Sequence, residues 1–85
     1  MTATLSANPN PVDQGKPSEL CISNASEKKV TLTLDQIGGS GQETIEVEID
    51  SSGNGCKKFT APTGWTEYSV NGGGAPQINV SINPP

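Results

Sequence analysis

ETIEVEIDSSGNGCKKF, residues 43–59, decides the fold. Ile45, Val47 and Ile49 alternate with Thr44, Glu46, Glu48 and Asp50. That two-residue period belongs to a strand with one buried and one wet face. Ser51-Ser52-Gly53-Asn54-Gly55 follows, and Gly and Asn accept the positive φ angles of a tight reversal. The chain then returns over residues 56–60, with Phe59 as the only large apolar side chain. The stretch predicts a β-hairpin.

The same pattern extends in both directions. Upstream, residues 29–35 set Val30, Leu32 and Leu34 against Thr31 and Thr33. Residues 18–23 place Leu20 and Ile22 on one side and Cys21 on the other, and residues 2–7 alternate weakly. Asn8-Pro9-Asn10-Pro11 interrupts any ladder between these two, because proline has no N–H to give. Residues 12–17 read as a loop or a short edge segment. Downstream, residues 65–70 carry Trp65, Tyr68 and Val70, and residues 77–83 carry Ile78, Val80 and Ile82. Turn-forming clusters separate the runs, and no run of about ten residues has helical periodicity. Seven short strands at intervals of roughly 8–14 residues predict one all-β domain, residues 1–85, folded as an antiparallel β-sandwich.

Composition sets the margins. A chain of 85 residues buries only about 60–65% of the surface it exposes when unfolded. Its hydrophobic content is 31%, with one Trp, one Tyr and one Phe, so a covalent staple or a partner surface would add needed stability. The net charge is −4, from nine acidic residues and five lysines, with no Arg and no His. Nucleic-acid binders use basic patches in which Arg reads the bases, so that class is set aside. Without His the commonest general base and the commonest metal ligand are missing. The acids fall on outward strand positions with no apolar pocket to raise a pKa. The expectation is no enzyme, no cofactor and no metal site. No stretch approaches the roughly 20 apolar residues of a membrane helix. The N-terminus lacks the basic and apolar regions of a signal peptide, so the chain reads as one used without export or as an excised domain.

Several phrases carry a family resemblance: the Asn8-Pro9-Asn10-Pro11-Val12 lead-in with Gly15, residues 20–24, IEVEID with its SSGNG turn, residues 59–65 (FTAPTGW), and the closing NVSINPP. Together they resemble small bacterial and phage immunoglobulin-like modules over nearly the whole chain. The antibody pattern is not met. There the Trp falls between two bridged cysteines, whereas Trp65 follows both Cys21 and Cys56. The resemblance therefore implies an immunoglobulin-like sandwich without the antibody core. Phage modules of this kind decorate capsids. The resemblance implies a capsid decoration, or cement, protein at the virion surface, made in the host cytoplasm. Its partner is then the major capsid protein lattice, and a homotrimer suits sites where three subunits meet. The alternative is a protein- or carbohydrate-binding module of a secreted or cell-surface protein.

Individual residues are read against simpler explanations. Cys21 and Cys56 both point away from the core side. In the seven-strand immunoglobulin order their strands are neighbours, so a disulfide on an outer face is expected. Two unrelated reduced thiols are the other reading. Trp65 and Tyr68 are either core or an aromatic platform for a partner. The segment from Asp50 to Gly55 has too few carboxylates for a calcium loop and reads as a plain turn. Asn24-Ala25-Ser26 and Asn79-Val80-Ser81 fit a glycosylation pattern that matters only in an exported eukaryotic chain. Contact with a partner is expected at loops and ends, namely Tyr68, Asn10, Pro11, Gly39, Gly73 and Pro84.

Overall fold

The computed structural model describes residues 2–85. Its strands are β1 (Thr4–Asn8), β2 (Val12–Asp13), β3 (Ser18–Ser23), β4 (Lys29–Gln36), β5 (Gln42–Glu48), β6 (Gly55–Phe59), β7 (Glu67–Asn71) and β8 (Ile78–Asn83). The all-β expectation holds among the described residues. Among the described residues no helix is long and apolar enough to cross a membrane. The strands form a three-stranded sheet, β1-β3-β6, and a five-stranded sheet, β2-β8-β7-β4-β5.

Two expectations need correction. The first is the count of seven purely antiparallel strands. Val12–Asp13 is an eighth strand, and it pairs in parallel with Ile82 and Asn83. Two residues are too few to show a period, so the sequence reads as a loop or a short edge segment, and the edge alternative is the one that forms. The second is the hairpin over residues 43–59. The turn forms as expected: Asp50 N donates to Asn54 O at 2.8 Å and Gly53 N to Asp50 O at 3.0 Å. The Asp50 carboxylate also accepts from Ser52 N and Asn54 N. Yet β5 and β6 do not pair. β5 bonds to β4, with Lys29 opposite Glu48 and Asp35 opposite Gln42. β6 bonds to β3, with Ser18 opposite Phe59 and Ile22 opposite Gly55. Turn chemistry reverses the chain, but it does not choose the sheet that the returning strand joins. Gly55 makes the crossing feasible, because a Cβ there would strike the Glu48 carbonyl and crowd Val47.

The alternating faces meet in one core. Leu20 and Ile22 of β3, Val30, Leu32 and Leu34 of β4, Val47 of β5, Tyr68 and Val70 of β7 and Val80 of β8 are all buried in a single cluster. Residues of both sheets contribute, so the core lies between them. Burying a side chain of this size contributes about 1.5–3 kcal/mol. Ser18, on the inward face of β3, is buried too, and its hydroxyl donates to Pro9 O at 2.8 Å.

Candidate interaction surface

The cysteines are the first site the sequence singles out, and they are bonded. Cys21 and Cys56 sit opposite each other in the β3–β6 ladder, with Cα atoms 4.1 Å apart. Their neighbours Leu20 and Ile22 point inward, so the bridge lies on the outer face of the three-stranded sheet. In-register β pairing places two thiols at bonding distance without bending the backbone. Glu19 stands beside the bridge, its carboxylate and both sulfurs lying within 4.8 Å of one another. With the sulfurs bonded to each other, no thiolate remains to hold a metal.

The aromatic residues take the core alternative. Phe59, Trp65 and Tyr68 form a triangle with ring centroids 5.3–6.2 Å apart, tilted or edge-to-face. Such packing is favoured by the ring quadrupoles. Tyr68 was expected to reach a partner, and burial overturns this: it has no exposed surface. It shares strand parity with Val70, which fixes its inward direction. Among the described residues its hydroxyl has no hydrogen-bond partner, and burial pushes its pKa up to about 12. Trp65 lies just before β7 rather than within it, buried beneath the β4–β5 loop. A Cβ on Gly41 would sit 2.7 Å from Trp65 Cζ2, so the indole and the loop backbone are in close contact. Gln36 locks that loop: its N–H donates to Gly41 O, and its Oε1 accepts from Gly41 N.

The remaining contact candidates do not form one patch. Gly39 lies in the β4–β5 loop, at the end where Gln36 finishes β4. Pro84 follows β8 at that same end, where Ile37 N meets Glu67 O and Ile82 N meets Thr66 O. Gly73 lies at the other end, against Ile22 and Val30. Asn10 and Pro11 lie between β1 and β2, alongside β8. The Asn10 side chain behaves like a fragment of strand: its Nδ2 donates to Asn79 O at 3.0 Å, and its Oδ1 accepts from Ser81 N at 3.1 Å. Sequence reasoning saw Asn10 as an exposed loop residue and missed this role.

The strand edges therefore differ. On one flank β2 and Asn10 cover β8. On the other, β5 and β6 are terminal strands of their sheets and carry no further partner among the described residues. Glu43, Glu46 and Glu48 are exposed along β5, and Lys57 and Lys58 along β6. Among the described residues the one ion pair is Lys29 with Glu46, at 3.9 Å and largely exposed. Exposed pairs of this kind contribute little. A shallow notch, lined by Val12, Lys16, Pro62, Trp65 and Ile82 among others, encloses no water-sized space. Comparisons with protein-family models, with curated proteins and with solved structures find no match, so the functional reading rests on this chain's own residues.

Proposed function

We propose that the chain is an immunoglobulin-like β-sandwich acting as a non-enzymatic decoration protein, which binds the outside of a protein lattice such as a phage capsid and reinforces it. The observation that carries this reading is the burial of Trp65 and Tyr68 in one aromatic cluster, with Phe59 half-buried at its edge. A sugar-binding face needs an exposed ring to stack on, and neither Trp65 nor Tyr68 offers one. What remains outside is a stapled scaffold of strand edges, polar and charged side chains and turns. Such a surface suits docking on another folded surface better than enclosing a small ligand. The neighbouring placement of β3 and β6, and of β8, β7 and β4, suits an immunoglobulin-like order.

The mechanism is linkage. A protein that binds only the assembled lattice stabilises that assembly by mass action, in proportion to its saturation. Particles prepared without this chain are expected to lose their contents at lower temperature or milder osmotic shock than complete particles. Adding purified protein back should restore the difference. Equal survival together with no rebinding would remove the decoration reading and favour a protein-binding module of a surface protein.

A further inference from the structure

The open flank carries two complementary edges. β5 presents Glu43, Glu46 and Glu48, all exposed. β6 presents Lys57 and Lys58, also exposed. Neither strand contains proline, so each backbone N–H that points away from β4 or β3 is a potential ladder donor. The two edges share a flank, because the first residue of β6, Gly55, sits against Glu48 O, Val47 and Ile49 at the end of β5. They run in opposite directions, since the turn between them reverses the chain. Ile45 on β5 and Phe59 on β6 remain only half-buried, both on the inward side.

From these features we infer that a second copy of this chain occupies the flank, in a two-fold dimer that pairs β5 of each copy with β6 of the other. A two-fold axis along the strands places each β5 beside its partner's β6, antiparallel, with inward faces aligned. Both open edges are then satisfied at once, as a self-complementary contact requires. Each three-stranded sheet continues into the partner's five-stranded sheet. On the inward face Glu43 and Lys57 share a side. On the outward face Glu46 and Glu48 share a side with Lys58. Pairing β5 with β5 would instead bring three glutamates toward three glutamates, and like charges across a strand pair are unfavourable. The inference does not depend on the lattice reading, because it concerns the free protein, and it puts a two-fold dimer in place of the homotrimer that the family resemblance implies.

The test uses the full oxidised chain in sedimentation equilibrium, at low and high salt. The unaltered protein is expected to form a dimer that weakens as salt rises. A variant with Lys57→Glu and Lys58→Glu has two acidic edges, and one with Glu43→Lys, Glu46→Lys and Glu48→Lys has two basic edges. Each alone should dimerise roughly 100-fold more weakly, given the cost of like charges at an interface. Mixed in equal amounts, they should form a heterodimer, because both edge pairs regain opposite charge. A protein that stays monomeric at every concentration overturns the proposal, and so does a dimer indifferent to both charge reversals. If either variant fails to fold, amide exchange on the unaltered chain decides. Exchange of the edge N–H groups of β5 and β6 should slow as concentration rises, and exchange that ignores concentration overturns the dimer.

Discussion

The two flanks of this molecule manage unpaired backbone in different ways. On the β8 side the chain passes two prolines, lays down two residues of parallel strand and extends the Asn10 amide along the next backbone groups. On the β5–β6 side no other strand among the described residues covers the edges, and charged side chains stand along them. Charged side chains on an edge discourage indiscriminate pairing. They do not satisfy the backbone; water or a partner must do that. The β8 edge is specified by local hydrogen bonds, the β5–β6 flank by what it repels and what it admits.

The comparison breaks most severely at the disulfide, because β6 has a ladder partner on one side only. The bridge joins residues 35 apart in sequence. A loop of that size contributes about 3–4 kcal/mol in the chain-entropy model. Reduction, or the Cys21→Ser, Cys56→Ser double variant, is expected to lower the melting temperature by more than about 10 °C. β6 amides should lose protection from exchange before those of β4. A shift of a degree or two would mean that β6 is held by packing alone.

A smaller effect is expected at Gly41, in the loop that opens β5. Gly41→Ala places a methyl against the Trp65 indole and Gln36. Forcing that contact should cost about 1–3 kcal/mol, as overpacking does elsewhere. The signature is a lower melting temperature together with altered Trp emission, since the indole has to move. An unchanged spectrum would show that the loop yields instead.

The smallest expected effect lies on the sealed flank. Asn10→Ala removes two neutral, exposed hydrogen bonds to β8. The loss should be about 1 kcal/mol. The sharper readout is local: the Ser81 amide, which donates to Asn10 Oδ1, should exchange faster while the core amides of β7 do not. If Ser81 exchange is unchanged, β2 alone seals the edge.

Legibility in the sequence followed the same division. β3 and β4 are plain in the sequence, because their alternation is long and their buried residues are aliphatic. The cysteine bridge was readable from parity and strand order. The inward direction of Tyr68 was also available, from its parity with Val70, but the polar tip of a tyrosine invites an exposed reading. The partner of β6 was not readable. SSGNG specifies a reversal within five residues, whereas the choice of sheet depends on β3, more than thirty residues upstream. β2 was legible only as one of two readings, because two residues leave no period, and the Asn10 seal was hidden because a single side-chain amide bonding to a distant backbone leaves no pattern in the sequence.

The aromatic triangle has an optical consequence. The chain has one Trp, one Tyr and one Phe, and all three rings pack together, Trp65 and Tyr68 in the core and Phe59 at its margin. In the native state Tyr68 is placed to pass its excitation to Trp65, whose centroid is 6.0 Å away, and the fixed asymmetric surroundings should give both rings strong near-ultraviolet dichroism. Tyrosine emission should appear only when that triangle opens. The protein thus carries its own chromophoric gauge of core integrity, with a single donor, a single acceptor and no attached label.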